Sequence, residues 1–569
     1  MPSDTPLIRD VVPDKATYRP GEAATITVTV DYQGDESLRG LLVLELVHMA
    51  DTVRELEQSV ELEANSTGDF LFTVTPPTTP LRGYGLDATL YGRDGEALAQ
   101  ASGALDVLER WSQAPRYGFL SDFGPDQVTG MEARCRSLVR YHLNVVQFYD
   151  WMWRHYRLLP PEEEFTDALG RNLSLRTVRA GIRGVQAGGG AAMAYGAVYG
   201  AEPEYADRHT ELRLYGEAGV PISLAELFYI MNIAPGSPWV DLIVAEFAEA
   251  VRELGFDGIH LDQYGFPKTA YTASGELVDL SLHFPALIDR ARAAVVAERA
   301  GAGVIFNAVE NWPIETVAPT SQDAVYIEVW PPYVTYNDLR ELIREGKRLG
   351  KDKQVILAAY LSPFLDESDE TIEGAEAAAL LATAVISASG GFHLLLGEQD
   401  GVLCDPYYPK YATMRPSFAA RMRAYYDFLV RYEELFIAPD IEDWEVALGG
   451  EDGDERSRGI SSRPGVLLSR EARAETMWVI TRSKPGYRVV HLINLTGQHD
   501  VLWNAPHSTT ELIDSIELRI EDLPPVKKVL FLAPERQRAL ALEWTQRERS
   551  VQVQLPYCDV WAVVVYVLA

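Results

Sequence analysis

From Pro20-Gly21 to about residue 108, apolar residues alternate with polar ones. Ile26, Val28 and Val30 are interleaved with threonines, Leu42, Leu44 and Leu46 repeat the period, and Phe70, Phe72 and Val74 follow. Period-two alternation marks strands with one buried face. Turn signals at Gly34-Asp35, Pro76-Pro77 and Asp94-Gly95 cut the stretch into short strands, so residues 1–110 are predicted to form an immunoglobulin-like β-sandwich. It holds no catalytic cluster, and its expected role is to brace the next domain. After Trp111 short apolar runs alternate with helical stretches. The expected strands are Tyr117–Asp122, Val145–Trp151, Ala191–Val198, Gly258–Asp262, Val304–Val309, Ala324–Trp330, Val355–Leu361 and Phe392–Leu396. Continuous apolar strands alternating with helices predict a (β/α)₈ TIM barrel over residues 111–437. An open doubly wound sheet would carry a glycine-rich loop after its first strand, and Leu120-Ser-Asp-Phe-Gly-Pro is not one. Gly188-Gly-Gly190 reads as an ordinary helix-to-strand connection. Alternation returns in Val489–Leu495 and Val551–Leu555, and the chain closes on the apolar run Val560–Leu568. Residues 438–569 are therefore predicted to form a second, antiparallel β-sandwich.

A chain of 569 residues exceeds what one core supports, in keeping with several domains. Its formal net charge of −32 argues against nucleic acid and against an anionic membrane surface as partners, since both need clustered Lys and Arg. A neutral ligand would not be repelled. Cys135, Cys404 and Cys558 are too few for a disulfide framework. The N-terminus has no basic-then-apolar leader pattern, so the expectation is a cytoplasmic protein, or a secreted one whose signal has been removed. The apolar stretch Ala377–Ala388 is too short to span a bilayer. Oligomeric state is not legible.

The chemistry concentrates at two strand ends. Gly255-Phe-Asp-Gly-Ile-His-Leu-Asp262 and Asp323-Ala-Val-Tyr-Ile-Glu328 each finish an apolar run on a carboxyl group. Active sites of such barrels are built at the C-terminal ends of the strands. Glycosidic cleavage needs an acid for the leaving oxygen and a carboxylate for the oxocarbenium-like centre. Asp262 is the candidate nucleophile and Glu328 the candidate acid/base. A Glu among apolar neighbours is raised in pKa, as a general acid requires. The other strand ends are rich in side chains that hold sugars: Asp122, Asp150, Trp151, Tyr195, Tyr264, Asn307, Trp330 and Glu398. Aromatic faces stack on pyranose rings, and carboxylates and amides bind hydroxyl pairs. His142, His155, His260 and His393 do not form metal-binding pairs with a nearby Glu, and there is no G-x-S-x-G elbow. No metal site or cofactor is expected.

Five stretches together resemble a known family: Tyr117–Phe123, His142–His155 with its Q-F-Y-D-W-M-W-R-H segment, Phe256–Gly265, Tyr326–Trp330, and Gly397-Glu398 through Tyr411. They are similar to glycoside hydrolase family 66, which holds endo-dextranases and cycloisomaltooligosaccharide glucanotransferases. The resemblance implies α-1,6-glucan or isomaltooligosaccharide as substrate. It also implies a retaining double displacement with Asp262 as nucleophile and Glu328 as acid/base. It implies further that cyclising members carry a carbohydrate-binding module inserted in the catalytic region. The eight-strand reading leaves no room for one, which favours endo-hydrolysis with some transglycosylation. The alternatives are the cyclising transferase and, from another class, a non-catalytic glucan-binding protein.

Overall fold

The computed structural model describes residues 7–366, 369–446, 466–536 and 538–569. The first six residues, part of the stretch read for a leader, lie outside the described residues. At the N-terminus, strands Leu7–Pro13, Ala24–Tyr32 and Ser66–Val74 form one sheet, and Asp51–Leu62, Leu38–His48, Arg82–Gly92 and Ala97–Val107 a second. The alternation is literal in Ala24–Tyr32: Ala24, Ile26, Val28, Val30 and Tyr32 are buried while the threonines between them are half-buried. These side chains share a core with Leu42, Leu44, Leu86 and Leu90 of the other sheet, as two facing sheets require.

The central sheet runs in chain order through eight parallel positions: β1 (Tyr117–Leu120), β2 (Val145–Phe148), β3 (Ala191–Ala197), β4 (Gly258–Asp262), β5 (Gly303–Val309), β6 (Ala324–Glu328), β7 (Val355–Ala358) and β8, split into Phe392–His393 and Leu396–Gly397. The first half of β8 pairs with β7 through Ile356 and Phe392, and the second half pairs with β1 through Phe119 and Gly397. The sheet therefore curls into a barrel-like core. Both faces are buried, so the strands read as continuous apolar runs. One face fills the interior with Tyr117, Phe119, Met193, Ile305, Tyr326 and Ile356. The other carries Leu120, Val146, Ala192, Leu261, Phe306 and Ile327 into the outer core. Helices between the strands cover that outer face. Tyr336–Gly350, for example, opens on a capping box of Thr335 and Asp338 and buries Leu339, Leu342, Ile343 and Gly346 at helical spacing.

Five strands stop earlier than expected, at Leu120, Phe148, Ala197, Glu328 and Ala358. In each case the chain leaves the ladder to form the loops around the upper end of the barrel. The apolar stretch Ala377–Ala388 belongs to the longer helix Asp369–Ala388. Its Thr371–Ala388 portion reaches 18 residues and is 72% buried within the protein, so it is longer than the sequence suggested. It packs on β8, on neighbouring helices and on strand Tyr487–Asn494, which accounts for its being apolar on every side.

The C-terminal strands form a sheet around Met477–Lys484, Tyr487–Asn494, Trp561–Leu568 and Val526–Leu532, faced by Ile513–Ile520, Ser550–Cys558 and Trp544–Arg547. The unbroken apolar character of Trp561–Leu568 has a direct cause. Ala562, Val564 and Tyr566 enter the core between these two sheets, whereas Trp561, Val563 and Val565 join the core that covers the barrel. A buried ion triad ties the N-terminal sheets to the barrel: Arg116 bridges Asp106 at 2.7 Å and Glu433 at 3.2 Å.

Candidate active site

Alternation along the barrel strands decides which side chains reach the interior. On β4 these are His260 and Asp262, on β5 Ile305 and Asn307, and on β6 Tyr326 and Glu328. Register places the three upper residues on adjacent strands, with Leu261 opposite Phe306 and Val309 opposite Glu328. Asn307 thus stands on the strand between the two carboxylates and reaches both. Its Nδ2 donates to Asp262 Oδ1 at 2.8 Å and to Glu328 Oε2 at 2.7 Å. Those two oxygens are therefore separated by no more than the two bonds laid end to end, about 5.5 Å. The other Asp262 oxygen accepts from the Tyr195 hydroxyl at 2.7 Å. Below them His260 is buried, bonded through Nδ1 to the Tyr117 hydroxyl at 2.8 Å. Burial pushes its pKa down to about 3, so it forms a neutral floor.

Above the pair opens a cavity of about 660 Å³ lined by Tyr149, Asp150, His155, Tyr195, Tyr264 and Trp330, with Leu169, Phe228 and Tyr407 at its edges. A second cavity of about 320 Å³, between the N-terminal sheets and helix Pro416–Arg431, is lined by Arg9, Arg140 and Arg423. These are paired with Asp31 and Asp10, and Asp10, Asp427 and Glu535 share the lining.

The electrostatics separate the two carboxyl groups. Glu328, 9% exposed, is pushed up to about 7, first by burial and then by the Asp262 charge, against hydrogen bonds from Asn307, Trp330 and Tyr360. Burial raises Asp262 as well, but Tyr195, Asn307, the Gln263 amide and the His155 charge all favour its ionised form. The proton of the pair therefore belongs on Glu328 near neutral pH. Burial alone would lower the pKa of His155, but its carboxylate neighbours raise it, Glu202 foremost, and the net shift is upward. Glu202 Oε1 accepts from the His155 backbone N–H at 2.8 Å and meets Nδ1 at 2.9 Å. Asp150 is pushed up to about 6 by burial, with Arg171 and His155 pulling the other way.

Of the residues singled out in the sequence, Asp262, Glu328, Asp150, Tyr195, Tyr264 and Trp330 line the cavity, and Asn307 joins the pair beneath it. Three do not reach it. Trp151 is fully buried: its indole packs on Phe256 at 5.0 Å and donates to the Tyr195 carbonyl at 3.2 Å. The chain turns at Asp150, whose φ is 48°, and this breaks the alternation that would have aimed Trp151 upward. Glu398 is also fully buried. It accepts from Ser121 N–H at 2.8 Å and Ser121 Oγ at 3.0 Å and pairs with Arg134 at 2.6 Å, because the break inside β8 reverses its direction. Asp122 caps its own turn, accepting from Gly124 N–H at 3.1 Å, and faces Arg134 at 3.5 Å. Sequence reasoning missed Tyr149, the pairing of His155 with Glu202, and Tyr360. Tyr149 lay within the Q-F-Y-D-W segment, whereas Glu202 gave no local signal. Among the described residues no three His, Cys, Asp or Glu side chains converge as a metal-binding group.

The family described as Glycosyl hydrolase family 66 matches residues 13–565. Two cycloisomaltooligosaccharide glucanotransferases of Niallia circulans are 25% and 24% identical over 87% and 91% of this chain, covering 64% and 67% of their own lengths. A dextranase of Streptococcus salivarius is 22% identical over 84% of the chain and 65% of its own length. The chain thus spans about two thirds of the curated relatives it matches. Among solved structures, a Paenibacillus sp. cycloisomaltooligosaccharide glucanotransferase complexed with cycloisomaltoheptaose superposes with a TM-score of 0.90 at 23% identity, over 98% of this chain and 99% of that one. A maltogenic alpha-amylase from Thermotoga neapolitana gives 0.51 at 10% identity, over 80% and 99%. With the family match running over nearly its whole length, the chain belongs to glycosyl hydrolase family 66.

Proposed function

We propose that the protein is a retaining α-1,6-glucan-acting enzyme that cleaves dextran or isomaltooligosaccharides internally by double displacement. Its catalytic domain is a (β/α)₈ barrel over residues 111–437, between β-sandwiches at 1–110 and 438–569. The observation that carries this reading is the Asn307 bridge. It keeps the nearest oxygens of Asp262 and Glu328 within about 5.5 Å, and retaining enzymes hold their carboxyl groups roughly 5–5.5 Å apart, while inverting ones need about 6.5–9.5 Å. In the first step an Asp262 oxygen attacks the anomeric carbon. The C–O bond to the leaving glucosyl oxygen breaks, and Glu328 gives that oxygen its proton. In the second step Glu328, now a carboxylate, takes a proton from the incoming hydroxyl as that oxygen displaces Asp262. Water yields hydrolysis, and a sugar hydroxyl yields transfer. Asp150, Tyr195, Tyr264 and Trp330 supply the surrounding sugar contacts.

The cyclising transferase is the second reading, favoured by the names of the two Niallia circulans relatives. Among the described residues the eight-strand barrel carries no inserted module, which supports the hydrolytic reading, as the sequence reading has it. A dextran digest with products resolved by chromatography, run on the wild type and on Asp262→Ala, tests both readings. Linear products from the wild type and none from the variant support hydrolysis, and cyclic products move the protein to the transferase. Turnover by Asp262→Ala at the wild-type rate refutes the assigned nucleophile.

A further inference from the structure

The segment Val501–Asn504, between strands Tyr487–Asn494 and Ile513–Ile520 of the C-terminal sheets, runs against the loop after β6. Tyr336 N–H donates to the Val501 carbonyl at 2.9 Å, Trp503 N–H donates to the Val334 carbonyl at 3.1 Å, and Thr335 and Leu502 form an antiparallel bridge. The Trp503 indole N–H donates to the Tyr333 carbonyl at 2.8 Å. Tyr333 N–H donates in turn to the carbonyl of Trp330 at 3.1 Å, and Trp330 lines the cavity. The next residue grips a second loop. Asn504 Oδ1 accepts from both the N–H and the hydroxyl of Ser362, at 2.8 and 3.0 Å, two positions after Tyr360. Four consecutive residues of the C-terminal sheets therefore hold the loops after two neighbouring barrel strands. Those two loops carry the Trp330 and Tyr360 side chains, whose rings meet edge-on at 6.2 Å. Trp330 lines the cavity with Glu328, and both polar groups favour the charged form of its carboxyl.

Apolar contact alone would suffice to dock one module on another. Directional bonds to the backbone of two loops do something more specific, because they fix register. Trp503 is buried, 4% exposed, whereas Leu502 beside it is 40% exposed, so the segment is anchored by its tryptophan rather than by general burial. We propose that Trp503 and Asn504 are positioning residues for the acid/base site, holding the loops after β6 and β7 so that Trp330 and Tyr360 stay in register with Glu328. This rests on the reading of Glu328 as the acid/base. The titratable groups that face Glu328 are Asp262 from β4, Tyr326 on its own strand, Tyr360, and Tyr149 and Tyr408 from other loops. Of these only Tyr360 lies in a gripped loop. Freeing that loop and Trp330 removes donors to the charged form of Glu328 and leaves its Asp262 neighbour in place.

The test uses full-length Trp503→Phe, Asn504→Ala and the double variant, with Glu328→Gln as reference, assayed on dextran across pH. Misplacement by 1 Å costs up to about 100-fold in rate. The double variant is expected to lose about 10-fold or more in kcat, with a smaller rise in KM as the Trp330 wall loosens. Its alkaline limb should move to higher pH, because a Glu328 deprived of donors holds its proton longer. Asn504 is exposed, so Asn504→Ala folds normally and carries the same readout alone, with a smaller loss. If the variants only melt earlier, with kcat and the alkaline limb unchanged, the contact is structural and the inference is overturned. If Glu328→Gln keeps wild-type activity, the acid/base reading itself falls, which is a separate and distinguishable failure.

Discussion

Glu328→Gln should inactivate the protein and make it more stable above neutral pH. The carboxyl group is 9% exposed and sits at about 7 rather than its usual 4.5, because burial and the Asp262 charge oppose ionisation. Its folded pKa is raised. The favourable term is therefore fully present below the unfolded value of about 4.3 and is lost as pH rises through about 7. A shift of that size corresponds to about 3 kcal/mol of destabilisation once Glu328 is fully charged. A neutral glutamine avoids that loss. It accepts more weakly from Asn307 and Trp330, so the net gain at pH 8 should be roughly 1–3 kcal/mol. The assay is thermal unfolding of both proteins at intervals from pH 5 to pH 8. The melting temperature of Glu328→Gln is expected to lie nearest the wild type at the acid end of this range and to exceed it increasingly towards pH 8. A difference that does not change with pH, or a variant less stable than wild type at pH 8, would refute the claim that the folded site holds Glu328 protonated.

Asn307→Ala removes one donor from each carboxylate. Each hydrogen bond to a charged group contributes about 1.5–3 kcal/mol, which is roughly one to two pKa units. Both pKa values should rise, since the donors favour the charged forms, and the bell-shaped rate profile should move bodily to higher pH. Lower activity with an unmoved profile would contradict the bridge. Trp330→Ala should weaken dextran binding by the roughly 0.5–1.5 kcal/mol of one aromatic stacking contact, read as a higher KM with little change in melting. Trp151→Ala should do the reverse, costing about 3–5 kcal/mol of stability through a core cavity. A calorimetric and kinetic comparison of the two separates the wall from the core.

How much of the fold and site was legible in the sequence depended on whether a residue obeyed its local period. Barrel strands buried on both faces are apolar throughout, so all eight were visible as runs, and a carboxylate ending such a run stood out at Asp262 and Glu328. Tyr195 and Asn307 came from the same alternation. Trp151 and Glu398 were misplaced because the chain breaks its period immediately before each of them, at Asp150 and within β8. No single-sequence pattern announces such a break. The pairing of His155 with Glu202, and of Trp503 with the loop after β6, joins positions far apart in the chain and related only by the fold.

The central claim is a covalent intermediate at Asp262. Incubating Glu328→Gln with α-isomaltosyl fluoride supplies a leaving group that needs no acid, and the variant lacks the base that would release the product. Intact-mass analysis with peptide mapping should find one isomaltosyl unit esterified to Asp262. An adduct on another residue, or inverted product with no adduct at all, would contradict the retaining assignment at its root.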